Sequence, residues 1–220
     1  MTRIIGGSAG GRRLQTPSGD ATRPTTDRVR EALFSSIEAW VGSWQGVRFL
    51  DLYAGSGAVG LEAVSRGASA ITLVEADRRT AALVSANART LGFSADVRAA
   101  TVRVTLATQP ADPYDVVFSD PPYPLSEEEL SEDLEQLQQW LSPDALVIVE
   151  RSRRSPEPSW PARISGRRAK RYGETTLWYG HADLPSAPPT GPRAGPSDGL
   201  ANRPPVDPPR GSAGGLEETP

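Results

Sequence analysis

Residues Phe49 to Gly60 constrain the fold of this chain more than any other stretch. Phe49-Leu50-Asp51-Leu52 reads as a buried strand, Tyr53-Ala54-Gly55-Ser56-Gly57 as a tight turn, and Ala58-Val59-Gly60 as the start of a helix. A strand that passes through glycines straight into a helix opens a parallel βαβ unit. The pattern then repeats. Strands are expected at 47–52, 70–75, 95–99, 114–119 and 145–150, with helices at 57–66, 77–91, 102–108 and 126–141. Such alternation implies an α/β, Rossmann-like architecture with a mostly parallel sheet and helices on both faces. A closing hairpin, Arg163-Ile164-Ser165 and Thr175 to Tyr179 around Tyr172-Gly173, would bring the sheet to seven strands. The helix at 126–141 opens on Ser126-x-x-Glu129, a capping box, and carries Leu130, Leu134, Leu137 and Leu141 as a packing stripe.

Ligands of such folds bind beyond the C-terminal ends of the strands. Asp51, Glu75 and Asp120 all fall there. The glycines fit G-x-G-x-x-G at Gly55, Gly57 and Gly60, which a dinucleotide-binding protein also shows. Asp51 argues against a pyrophosphate, because a carboxylate beside the helix N-terminus repels it and favours an ammonium group. S-adenosylmethionine has an amino-acid end and no phosphate. Glu75, closing the next strand, can accept both ribose hydroxyls of an adenosine.

The most chemically specific residues are Asp120-Pro121-Pro122-Tyr123, which follow the apolar run Tyr114 to Ser119. Two prolines end the ladder and fix the backbone. The carboxylate and the carbonyl before Pro122 can accept hydrogen bonds from an exocyclic NH2. The tyrosine ring offers a face to a nucleobase. Together these features point to transfer of a methyl group from S-adenosylmethionine to an amino group on a planar ring.

Composition narrows the chemistry. The chain has 220 residues and no cysteine, so cysteine-adduct methylation of pyrimidine carbon 5, cysteine-ligated clusters and Cys-type zinc sites are excluded. His181 is the only histidine, and no metal site is expected. No apolar run is long enough for a membrane span or a secretory signal, so no membrane partner and a cytoplasmic location are expected. Net charge is −3, but its distribution is uneven. Residues 1–30 carry six arginines against two aspartates, and residues 151–172 carry seven arginines and Lys170 against Glu157. Two basic segments around an acidic middle suit selective contact with phosphates.

Three regions are expected. Residues 1–45 form an appendage, with a hairpin at 3–15 and a helix capped by Thr25 or Thr26 that turns Val29, Leu33, Ile37 and Trp40 to one side. Residues 46–182 form the catalytic domain. Residues 183–220 are rich in proline and glycine and poor in large apolar residues, the composition of a disordered tail.

Arg3-Ile4-Ile5-Gly6-Gly7, Gly11-Arg12, Arg23-Pro24-Thr25 and Asp27 to Phe34 resemble the N-terminal signature of bacterial 16S ribosomal RNA guanine-N2 methyltransferases of the RsmD type. Asp51 to Gly57 looks like the cofactor motif of that family, Asp120 to Tyr123 like its catalytic motif, and Lys170 to Thr175 like its closing hairpin. The likeness covers roughly residues 3–180. It implies a class I S-adenosylmethionine-dependent methyltransferase acting on 16S ribosomal RNA, in the small subunit or an assembly intermediate, as a monomer. Asp120, Pro121, Pro122 and Tyr123 would be catalytic. Asp51, Tyr53, Gly55, Ser56, Gly57, Glu75, Ala76 and Ala100 would hold the cofactor. Arg12, Arg23, Thr25, Arg28, Arg30, Lys170 and Arg171 would meet RNA. Two departures stand out. Tyr53 replaces a common Phe, and Val97 to Thr101 lacks the family's adenine-binding Asp, leaving backbone groups or Thr101. A DNA adenine-N6 methyltransferase and a non-catalytic RNA-binding assembly factor stay open as other readings.

Overall fold

A seven-stranded sheet runs through the centre of the computed structural model, which describes residues 2–17 and 27–183. Before it, β1 (Thr2–Arg3) and β2 (Arg13–Leu14) pair antiparallel, and α1 (Asp27–Val41) follows. The sheet contains β3 (Arg48–Leu52), β4 (Ala70–Glu75), β5 (Asp96–Ala99), β6 (Tyr114–Ser119), β7 (Leu141–Ser152), β8 (Ile164–Tyr172) and β9 (Thr175–Ala182). Between the parallel strands lie α2 (Ala58–Arg66), α3 (Arg78–Leu91), α4 (Val102–Leu106) and α5 (Glu127–Leu137). Strand order is β5-β4-β3-β6-β7-β9-β8, parallel except at the β7-β9-β8 end. The expected mostly parallel α/β sheet is therefore present. The described residues fall in one compact unit, and none of their helices is long and apolar enough to cross a membrane.

Alternation along each strand creates two cores. Phe49, Leu73, Phe118, Ile148 and Tyr179 face α1, α2 and α3 through Leu33, Phe34, Leu61 and Val84. Leu50, Val74, Val117, Val147 and Val149 face α4, α5 and the turn after α5 through Leu106, Leu130, Leu134 and Trp140. Gly60 lets α2 lie close on the first face. A Cβ there would sit 2.7 Å from the tips of both Ile71 and Leu73. The N-terminal hairpin docks on the far end of α2: Ala9 N–H donates to Ser65 Oγ at 2.9 Å, and Ser65 Oγ donates to the Gly6 carbonyl at 2.6 Å.

Two expectations need correction. The helix expected at 126–141 ends at Leu137, tightens into a 3₁₀ turn over Gln138–Trp140 and gives way to β7 at Leu141. Pro143 has no N–H and disfavours helix at Ser142, so the leucine stripe outlasts the helix. Leu141 is still buried in the same core, but as a strand residue. On α1, Val29, Leu33 and Ile37 are buried, whereas Trp40 is 44% exposed and meets His181 edge-on. The Thr25–Thr26 cap and nearly all of the expected 183–220 tail lie outside the described residues.

Candidate active site

Four neighbouring strands end in acids on one edge of the sheet. β3 ends with Asp51-Leu52, β4 with Glu75, and β6 runs into Asp120, while Glu150 lies near the end of β7. Asp51 pairs in register with Phe118, and Phe118 with Ile148. Asp120 and Glu150 each lie two residues further on, so all three carboxylates share the face that carries α1 to α3.

Asp51 is 1% exposed and its Oδ2 accepts the Gly60 N–H at 2.8 Å. Its carboxylate thus pins the first turn of α2. Burial pushes its pKa up to about 7; the Gly60 bond opposes this, and the Glu75 charge adds to it. Glu75 accepts Gly55 N–H on Oε2 at 2.9 Å and Asp77 N–H on Oε1 at 2.8 Å. It ties the glycine turn to the start of α3. Each oxygen retains a lone pair for a ribose hydroxyl.

Gly55 and Gly57 have φ of 54° and 77°, a region costly for other residues. A Cβ at Gly55 would meet nothing within 4 Å, which leaves open space above the turn. Buried Asp51, bonded to Gly60 at the start of α2, would gain from a nearby ammonium group and would repel a phosphate there. Ser56 contributes its carbonyl, which accepts from Asn87 Nδ2 at 3.1 Å. Ala76 is exposed and Ala100 half-buried on the same rim. Thr101 caps α4, where its hydroxyl accepts Val104 N–H at 3.3 Å, so its first duty is structural.

Tyr53 has φ 65°, and its hydroxyl donates to Asp133 Oδ2 on α5. The side chain packs against the α4–α5 core. Tyr53 therefore lends only its backbone to the glycine turn while its ring braces α5. Burial raises the pKa of Tyr53, which keeps the proton on the phenol; burial also raises that of Asp133, against the lowering effect of the Tyr53 bond. Nothing in the sequence pattern singled out Asp133.

Asp120 is half-buried at the end of β6, and its N–H lies 3.4 Å from the Leu52 carbonyl. Burial raises its pKa well above the usual carboxylate range, and the Glu150 and Asp51 charges add to this; Arg151 opposes it. Pro121 is buried, Pro122 exposed, and Tyr123 72% exposed. The loop therefore presents a carboxylate, a carbonyl and an open ring beside the glycine turn. Glu150 and Arg151 were missed by the sequence reading. An apolar run ending in an acid, Leu146 to Glu150, is the same signal that marked Asp51 and Glu75.

The residues expected to meet RNA divide. Arg28 and Arg171 are exposed, and exposed Arg12 donates Nη2 to the Thr90 carbonyl at 2.8 Å. Arg30 does not fit that role. It is 1% exposed, donates Nη2 to the Arg3 carbonyl and Asp27 Oδ1, and lies 3.7 Å from Glu62. Lys170 donates to Ser36 Oγ at 2.8 Å and faces the Tyr179 ring, so it bonds α1 to the sheet rather than standing free. Arg151 and Arg163 of the second basic segment also turn inward. Arg23 and Thr25 lie outside the described residues.

A family model described as conserved hypothetical protein 95 matches residues 2–181. Ribosomal RNA small subunit methyltransferase D of Escherichia coli K12 is 38% identical over 180 residues, covering 78% of this chain and 85% of that protein. The protein of the same name in Haemophilus influenzae is 34% identical over 158 residues, covering 70% and 80%. The solved structure of yhhF from Escherichia coli is 37% identical with a TM-score of 0.72, covering 83% of this chain and 98% of that one.

Proposed function

The chain belongs to the conserved hypothetical protein 95 family, and from that premise we propose that it methylates the N2 amino group of a guanine in 16S ribosomal RNA. The observation that carries the reading is the Asp120-Pro121-Pro122-Tyr123 loop, set on the same rim as a glycine turn backed by Asp51. The names of the relatives support ribosomal RNA as the polymer. When bound, S-adenosylmethionine supplies a methyl group already activated by a positively charged sulfur.

The chain's own residues align the partners. Asp51 lies where the ammonium group of the cofactor's methionine end would offset its buried charge, and Glu75 accepts from the ribose. Asp120 and the Pro121 carbonyl accept the two N–H groups of the guanine. That holds the nitrogen lone pair toward the methyl carbon as the nitrogen pyramidalises. Tyr123 stacks on the extruded base. As the nitrogen–carbon bond forms and the carbon–sulfur bond breaks, positive charge passes from sulfur to nitrogen. The nitrogen then gives up one proton, which Asp120 takes or passes to water.

We further propose that a small-subunit particle or its assembly intermediate is the substrate and that the enzyme acts as a monomer. Exposed Arg12, Arg28 and Arg171 provide phosphate contacts, and Arg23 and Thr25 would add to them. The test offers labelled S-adenosylmethionine with three acceptors: small-subunit particles assembled without this enzyme, protein-free 16S RNA and duplex DNA. Label is expected in the particles. Label in DNA adenine alone would replace the reading with an adenine-N6 methyltransferase.

A further inference from the structure

The loop that carries the acceptor groups leaves the sheet at Asp120 and returns to regular structure at Ser126, which caps α5. Its first end is held by buried Pro121 and the strand before it. Pro122, Tyr123 and Pro124 stand exposed. At the second end, Leu125 N–H donates to the Pro122 carbonyl at 2.9 Å, and Ser126 and Glu129 form a reciprocal capping box. Those bonds close the loop on itself and on α5, but none reaches the sheet.

Arg151 does reach across. It lies on β7, one residue past Glu150, and its side chain is 7% exposed. Its Nη2 donates to the Leu125 carbonyl at 3.3 Å and pairs with Glu127 Oε1. Both bonds leave the same nitrogen, whose two N–H bonds lie in the rigid guanidinium plane, so one buried group grips a backbone carbonyl and a carboxylate together. A lysine ammonium also has donors for both acceptors, but its flexible stem holds them in a less fixed direction.

We propose that Arg151 is a positioning residue for methyl transfer, tying the Pro121–Leu125 loop to strand β7 and so fixing Tyr123 relative to Asp120. The clamp stands on contacts alone. Its consequence for the reaction rests on the function proposed above. The same guanidinium also opposes the rise in the Asp120 pKa, so it supports the acceptor electrostatically as well as mechanically.

The test compares the parent with Arg151→Met, Arg151→Lys and Glu127→Gln. Amide exchange at Leu125 reads the clamp without any substrate. In Arg151→Met it is expected to quicken by about tenfold or more while amides of β3 and β6 keep their protection. Turnover on the RNA substrate is expected to fall by about 10- to 100-fold, with the cofactor Kd within about twofold of the parent. Arg151→Lys should recover part of both changes. Unchanged Leu125 exchange overturns the clamp. Faster exchange with unchanged kcat and KM overturns the positioning role. If Arg151→Met does not fold, Glu127→Gln at its half-exposed position decides: faster Leu125 exchange with a few-fold loss of turnover supports the proposal, and no change in either overturns it. A parent that methylates no RNA would instead count against the functional reading, and Leu125 exchange would still report on the clamp.

Discussion

Asp51 is fully buried, so its charge depends on what lies against it. Its pKa rises from 3.8 to about 7 on folding. Between about pH 4 and 7 the folded protein therefore binds more protons at this site than the unfolded chain. Stability contributed by this group falls as pH rises through that window and levels off above about 7, a change on the order of a few kcal/mol. Asp51→Asn should flatten that part of the pH–stability curve in the cofactor-free protein, as read by thermal denaturation. An ammonium group alongside should reverse the shift. S-adenosylmethionine is accordingly expected to bind more tightly as pH rises through about 7, and to release a proton on binding at pH 6. Calorimetry in two buffers of different ionisation enthalpy measures that proton; no buffer dependence would remove Asp51 from the cofactor site. The strand-end positions of Asp51, Glu75 and Asp120 were legible because each closes an apolar run. Arg30, Lys170 and Arg151 were not, because a charged letter in a sequence carries no direction. Arg30 bonds the Arg3 carbonyl and Lys170 bonds Ser36, distances of 27 and 134 residues along the chain.

At the scale of elements, one side chain joins three of them. Asn87 on α3 is 3% exposed. Its Oδ1 accepts Gln15 N–H at 2.9 Å, and its Nδ2 donates to the Gln15 carbonyl at 2.9 Å and the Ser56 carbonyl at 3.1 Å. It thus fastens the segment after β2 to the glycine turn. Asn87→Ala leaves buried partners unsatisfied and should cost about 1–3 kcal/mol in chemical denaturation. The cofactor Kd is expected to rise several-fold in the same variant, since the Ser56 turn loses its brace. A wild-type Kd would show that the turn holds its shape without Asn87. The parallel strands and α2 to α4 were readable from periodicity and glycine placement, to within a few residues. The end of α5 was not, because the leucine spacing continues through a 3₁₀ turn into β7 and the same core receives Leu137 and Leu141.

Across the whole molecule, the sheet order places β3 and β6 side by side at the centre, so the cofactor turn and the acceptor loop emerge from adjacent strand ends. The βαβ pattern implies the parallel strands, but neither the β3–β6 adjacency nor the closing of the loop by β7, because β4 and β5 intervene along the chain. β7 lies beside β6 through a tertiary pairing that runs from Tyr114–Leu141 to Ser119–Val149. In the proposed function this rim aligns an exocyclic guanine amino group with a methyl donor, and Asp120 is its acceptor. The most direct test is nucleoside mass spectrometry of 16S ribosomal RNA from enzyme-deficient small-subunit particles after incubation with S-adenosylmethionine and either the parent protein or Asp120→Ala. N2-methylguanosine is expected with the parent, with a loss of at least about 100-fold in its rate of formation in the variant at a cofactor Kd within about twofold. N2-methylguanosine formed at the parent rate by Asp120→Ala, or a methylated nucleoside other than guanosine with the parent, would overturn the proposed function.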